Sequence, residues 1–244
     1  MPPSPDTAAD LLVCCAHPDD AELFCGGTIA RAVETGRRVL IADLTRGEKS
    51  SRGAPPERAA EAAEGARILG ARRCNLDCGD TVLDNNEANR LRLIAVIREA
   101  RPTVVITHDP HDRHPDHRKA HDLVRDACFY ANVAAIDTGQ PRHRPAGLFL
   151  CFGNPAGPWR EPGFVVDITP VFKKKLDSIR AYRTQFFGAG YEGAETFIST
   201  ERYWRSIEGR ARLMGSLIDV EFGEAFSLPA PLAVSDITAL AALR

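Results

Sequence analysis

Short apolar runs that alternate with longer stretches of helical periodicity constrain this chain more than any other feature. Strands are expected at Leu11–Ala16, Arg38–Leu44, Arg72–Leu76, Thr103–His108, Gly147–Phe152 and Phe164–Ile168. Helices are expected near 23–35, 55–69, 86–100, 117–134, 170–185 and 199–217. Parallel strands cannot be joined by a tight turn, so each pair needs a crossover, usually a helix. The alternation therefore predicts an α/β fold, Rossmann-like, with a mostly parallel central sheet flanked by helices. Punctuation agrees: Gly36 closes the first helix, Pro55 and Pro56 open the second, and Gly70 ends it. A chain of 244 residues suits one domain spanning 1–244, with the polar, Pro-rich residues 1–10 expected to be flexible.

Composition removes several classes of function. A net charge of -2 and a pI near 6.4 argue against nucleic acid as a partner. No apolar run approaches the roughly 18 residues of a membrane span, and "MPPSPDTAAD" has neither the basic nor the apolar region of a signal peptide. A cytoplasmic protein without a membrane partner is the expectation. The seven cysteines are odd in number, and Cys14, Cys15, Cys128 and Cys151 lie among apolar residues. They read as reduced, small hydrophobic side chains. Cys74 and Cys78 have no second Cys/His pair nearby at zinc-finger spacing. The Ala/Glu/Arg-rich stretch 57–69 reads as a solvated helix face. The Pro- and Gly-rich stretch 137–163 is read as loops around one strand that cover a site or meet another subunit.

In open α/β sheets, ligands bind beyond the carboxyl ends of the strands. "HPDD" (17–20) follows the first strand, "TRGEKSSRG" (45–53) the second, and "HDPHDRHPDH" (108–117) the fourth. These polar segments thus converge on one edge. His17 and Asp20 are three apart in a strand-to-helix turn, as are His114 and His117 in the later segment. Histidine and aspartate in such sets can hold a hydrolytic metal and leave a position open for water. Each carboxylate also has a simpler use: Asp19 or Asp20 could cap the first helix, and Asp116 the fourth. His108, His111, His121 and His143 are expected to be mostly structural, because a mononuclear site needs few histidines.

"AHPDDAE…GGT", "LTRGEKSSRG…ER", "HDRHPDH" and "GEAF" resemble the LmbE/PIG-L family of zinc-dependent N-acetylglucosamine-type deacetylases, from about residue 11 to 228. The resemblance implies that His17, Asp20 and His117 bind the metal. It also implies that Asp19 is the general base and His114 a catalytic partner backed by Asp116. Arg58 becomes a contact to substrate hydroxyls; otherwise it is a surface arginine paired with Glu57 or Glu61. Tyr203 would complete the oxyanion pocket, unless it is a core aromatic. "DLTRGEKSSRG", "PHDRHPDH", "FVVDIT" and "YRTQF" are most similar to the bacillithiol-biosynthesis branch, which deacetylates N-acetyl-glucosaminyl-malate. The Cys14-Cys15 pair departs from the family pattern, but inside a strand. The family also suggests trimers or hexamers.

The chemistry of the residues agrees with that resemblance. Amide hydrolysis needs a polarised carbonyl, an activated water and a group to carry a proton to the leaving amine. Two adjacent aspartates then divide the work, one on the metal and one moving protons. Zn2+ is the expected cofactor, and Fe2+ suits the same donors. The expected partner is a small N-acetylated sugar conjugate, with Lys49, Ser50, Ser51 and Arg52 facing an anionic aglycone. The inositol-linked or chitooligosaccharide N-acetylglucosaminides and an antibiotic precursor are the alternative substrates. A metal phosphoesterase is a weaker competitor, since a two-metal site needs more bridging carboxylates. "CGGT" lacks the spacing of a dinucleotide-binding loop.

Overall fold

In a strand covered on both faces every side chain must be apolar, and "LLVCC" of β1 (Leu11–Cys15) meets that demand without exception. Successive side chains of a strand point to opposite faces. Leu11, Val13 and Cys15 join one buried cluster, and Leu12 and Cys14 join another. The computed structural model describes residues 7–153, 160–188, 193–231, 233–234 and 236–238. The other strands are β2 (Val39–Asp43), β3 (Arg72–Asn75), β4 (Val104–His108), β5 (Gly147–Cys151), β6 (Phe164–Asp167) and β7 (Gly223–Ser227). They form one sheet in the order β3-β2-β1-β4-β5-β7-β6. The helices are α1 (Asp20–Glu34), α2 (Pro55–Leu69), α3 (Glu87–Ala100), α4 (Pro115–Tyr130), α5 (Phe172–Arg180) and α6 (Glu201–Ser216). One face of the sheet is covered by α1, α2, α5 and α6, the other by α3 and α4.

The first five strands of that order pair in parallel. β7 is antiparallel to both of its neighbours, β5 and β6. Sequence periodicity passes over β7, because "GEAFS" is short and carries a glutamate where a core-facing residue would be apolar. Three further expectations are corrected. α1 begins at Asp20, earlier than the hydrophobic pattern indicates, because its first turn is acidic. α5 stops at Arg180, short of 185. Residues 8–10 are not loose: Ala8 and Ala9 are buried, and Asp10 pairs with Arg38 at 3.0 Å. Residues 1–6 of the stretch expected to be flexible, and 154–159 of the loop 137–163, lie outside the described residues. Among the described residues no helix is long and apolar enough to cross a membrane, and all seven cysteines are free.

Glu224 of β7 explains its own burial. α1 is kinked at Cys25 (φ -144°, ψ 21°), which interrupts the helical hydrogen-bond ladder and frees backbone donors. Glu224 Oε1 accepts the Gly27 N–H at 2.8 Å, and Oε2 accepts the Thr28 N–H and hydroxyl, both at 2.6 Å. The carboxylate thereby caps the second segment of α1 at its positive end. Lys175 Nζ donates to Glu224 at 2.5 Å and to the Leu23 carbonyl at 2.9 Å, so the buried charge is paired. This junction sets the direction in which α1 leaves the sheet edge.

Gly27 lies where Ile168 crosses the kink, and a Cβ there would stand 2.7 Å from the Ile168 side chain. At Gly26 the nearest atom would be 3.5 Å away, an ordinary contact. Overpacking costs about 1–3 kcal/mol, and in a chain of this size each kcal/mol moves Tm by roughly 2–4 °C. Gly27→Ala is therefore expected to lower the thermal midpoint by several degrees while Gly26→Ala leaves it unchanged or raises it. Calorimetric melts of the two variants check the contrast.

Candidate active site

The strand order reverses between β1 and β4, which opens a crevice at their carboxyl ends. β1 runs into α1 through Ala16–Asp19. Asp19 occupies the N-cap position of α1 but makes no side-chain capping bond. Its backbone is left-handed (φ 117°, ψ -28°), a conformation that costs a residue with a side chain on the order of 1–3 kcal/mol. The side chain is held by the Arg58 guanidinium, whose Nη2 donates to Asp19 Oδ2 at 3.0 Å and also to the Pro18 carbonyl. Arg58 Nη1 donates to Gln185 Oε1 at 3.1 Å. Gly47 (φ +62°) lets the guanidinium in, since a Cβ there would stand 3.0 Å from Nη1. Arg58 is thus buried and is no surface arginine. Glu57 instead accepts the Ala54 N–H, and Glu61 accepts the N–H and hydroxyl of Thr184. Burial pushes the Asp19 carboxyl up to about 7, against the pull of Arg58.

Asp20 turns the other way. Its Oδ2 accepts the His17 N–H at 2.8 Å and lies 3.3 Å from His17 Nδ1, while Oδ1 lies 3.3 Å from His117 Nε2. One buried carboxylate therefore stands between the two histidines. Burial opposes its charge, but the imidazoles of His117, His108 and His17 hold its carboxyl well below the ordinary range. His117 reaches this point from the first turn of α4. That helix is capped by His114, whose Nδ1 accepts the Asp116 N–H at 3.2 Å, so Asp116 is not its cap. His108 lies beneath: its Nε2 accepts the Ala16 N–H at 2.9 Å, and its ring stacks on His117 with centroids 4.0 Å apart. His121 and His143 bond main-chain carbonyls of His108 and Pro102.

Two imidazole nitrogens on either side of a buried carboxylate are donors of the kind that a divalent transition metal takes while keeping a position open. Among the described residues three groups bring ligand atoms within 4.8 Å of one another: His17, His114 and His117; Asp20, His108 and His117; and His17, Asp80 and Asp116. The residues fit a metal.

Three expected roles are corrected by the geometry. The Asp116 carboxylate does not lie behind His114. It lies 3.2 Å from His17 Nε2 and accepts the Thr81 N–H at 3.1 Å. Arg52 does not face the cleft: it is buried, with Nε donating to the Thr184 carbonyl at 2.5 Å and Nη1 to that of Ala194 at 2.8 Å. Tyr203 is a core residue against Phe197, with ring centroids 4.9 Å apart. The cleft, about 330 Å³, is lined by His17, Asp19, Asp20, Arg58, His114 and His117, with Lys49, Ser50 and Ser51 at one side. Arg113 and Phe197 stand on the rim, the guanidinium 3.9 Å above the ring. Sequence reasoning missed Asp80, whose Oδ1 is 3.3 Å from His17 Nε2. The strand-end rule could have found it, because "CGDT" follows β3 at the same edge.

A doubly wound sheet with a histidine–carboxylate cluster at its switch point defines the class, and the comparisons narrow it. Residues 12–128 match the PIG-L family, described as GlcNAc-PI de-N-acetylase. The chain is 31% identical to diacetylchitobiose deacetylase of Thermococcus kodakarensis over 75% of its length and 73% of that protein. It is 30% identical to a 1D-myo-inositol 2-acetamido-2-deoxy-alpha-D-glucopyranoside deacetylase of Saccharomonospora viridis, over 70% of this chain and 82% of that one. Among solved structures, a conserved protein of Thermus thermophilus superposes with a TM-score of 0.82 at 35% identity, covering 94% of this chain and 98% of that one. The chain belongs to the PIG-L family of de-N-acetylases.

Breaking a buried ion pair from one side costs about 3–5 kcal/mol, because the remaining group must stay charged without a partner or take up a proton. Arg58→Met is expected to lower Tm by roughly 6–20 °C, at 2–4 °C per kcal/mol. Arg58→Met/Asp19→Asn is expected to recover a large part of that loss, since no charge is left behind. Thermal melts of both single variants and the double variant measure the coupling.

Proposed function

We propose that this protein is a metal-dependent hydrolase that removes the acetyl group from an N-acetylglucosamine conjugate, with N-acetyl-α-D-glucosaminyl L-malate as substrate. The observation that carries the reaction type is the buried Asp20 carboxylate between His17 and His117, with Asp19 beside it in the same cleft. Zinc is the assigned ion, and iron(II) accepts the same donors. Held by His17, Asp20 and His117, such an ion supplies polarisation of the amide carbonyl and acidification of water.

The remaining roles fall to the chain itself. Asp19 takes a proton from the attacking water and delivers it to the amine nitrogen as the C–N bond breaks. Water oxygen ends in acetate and the sugar keeps a free amine. Arg58 holds Asp19 in its left-handed turn, so the base needs no reorientation during the reaction. His114, at the cleft wall with its ring centroid 4.7 Å from that of His117, stabilises the developing oxyanion. The preference for malate is supported by Lys49 and Arg113, two cations at the mouth of the cleft. A malate aglycone carries two carboxylates, whereas inositol and a second sugar carry none.

Asp19→Asn is expected to retain the metal and lose about 10²–10⁴-fold in kcat, the usual worth of positioned proton transfer. His17→Ala and His117→Ala are expected to lose both metal and activity, as checked by metal analysis and acetate release. For the aglycone, each charge-assisted hydrogen bond contributes about 1.5–3 kcal/mol, so kcat/KM should favour the malate over the inositol conjugate by roughly 10- to 150-fold. That preference should shrink in Lys49→Ala and Arg113→Ala and at high salt. Equal kcat/KM for the malate, inositol and chitobiose compounds would overturn the aglycone assignment and leave the deacetylase standing.

A further inference from the structure

His117 directs one ring nitrogen, Nε2, toward Asp20 and the other, Nδ1, away from it. A neutral imidazole carries a single N–H, and the partner of one nitrogen decides which of the two keeps the lone pair. Among the described residues no group hydrogen-bonds the buried Nδ1 in good geometry. Asp112 Oδ1 lies 3.2 Å from it. The Asp112 side chain is 1% exposed. The same Oδ1 accepts the His114 N–H at 2.8 Å, which ties the carboxylate to the turn that starts α4. Its other oxygen lies against Gly153, where a Cβ would stand 2.1 Å from Oδ2. The chain just beyond β5 is thus shaped around this carboxylate.

Resting on the metal reading above, we propose that Asp112 is the positioning residue for His117. Its carboxylate takes the Nδ1–H, which selects the tautomer whose Nε2 lone pair faces Asp20 and the metal. No proton is consumed in this arrangement, and Asp112 touches neither substrate nor metal. Outer carboxylates of this kind raise the basicity of a ligating imidazole and fix its orientation, and losing one typically weakens metal affinity by 10- to 100-fold. His17 has the corresponding arrangement in Asp80 and Asp116, so each metal-facing histidine is backed from the far side by an acidic residue.

The test uses full-length protein loaded with zinc. Histidine-selective 15N NMR of the wild type should show His117 with a slowly exchanging Nδ1–H and zinc on Nε2. Competition with a chelator should show Asp112→Asn binding zinc 10- to 100-fold more weakly, with the Nδ1–H resonance shifted or lost. Gly153→Ala, which crowds the carboxylate without removing its charge, should weaken zinc in the same direction. A wild-type His117 protonated on Nε2, or Asp112→Asn with zinc affinity within about twofold of wild type and an unchanged resonance, overturns the proposal. The wild-type spectrum stands even if a variant fails to fold. A wild type that binds no zinc at all would instead remove the metal reading, and the role of Asp112 with it.

Discussion

The carboxylate of Asp20 joins the ends of β1 and β4 to the start of α4. It accepts the His17 N–H at the end of β1 and touches His108 at the end of β4 and His117 in the first turn of α4. A buried carboxylate is costly unless it is fully compensated, so these imidazoles have little freedom to stand elsewhere. The crevice at the strand reversal is therefore closed by a charge that must be satisfied. Folding and the assembly of the cluster of Asp20, His17, His108 and His117 become the same event, and the loops after β1 and β4 share one solution.

The rest of the fold keeps that crevice from shifting. On the α1 side, Arg73 of β3 spans Asp43 of β2 and Glu22 of α1, with contacts of 2.7 Å and 2.5 Å. The bidentate Arg73–Asp43 geometry is of the strong, orienting kind. Farther along α1, Glu224 and Lys175 lock the kink at Cys25. The acidic first turn of α1 is thus clamped from both ends. The strained Asp19 between β1 and α1 persists because its surroundings, Arg58 above all, over-determine it.

Much of this was legible in the chain. Short apolar runs alternating with stretches of helical periodicity located β1 through β6 and all six helices, and at the central strands β1 and β2 burial of every residue leaves little choice of side chain. The convergence of "HPDD", "TRGEKSSRG" and "HDRHPDH" on one edge was also legible, because it follows from strand direction alone. β7 was not, because its glutamate answers to a helix kink about two hundred residues earlier in the chain. Nor was the burial of Arg58, which depends on a glycine at 47 and a glutamine at 185.

By itself, then, the sequence determined the layer architecture, the edge at which the polar segments meet and the histidines and aspartates available there. These depend on periodicity and spacing, which act locally. Only the tertiary structure decided what each side chain does at that edge. Asp116 went to His17 because the backbone of Thr81 and the ring of His17 meet beside it. Arg52 went inward because Thr184 and Ala194 present carbonyls to it, whereas Arg113 stands over the Phe197 ring at the cleft. Asp112 came to stand behind His117 because Gly153 makes room. A side chain's direction is set by partners distant in the chain, and their positions exist only once the sheet has formed.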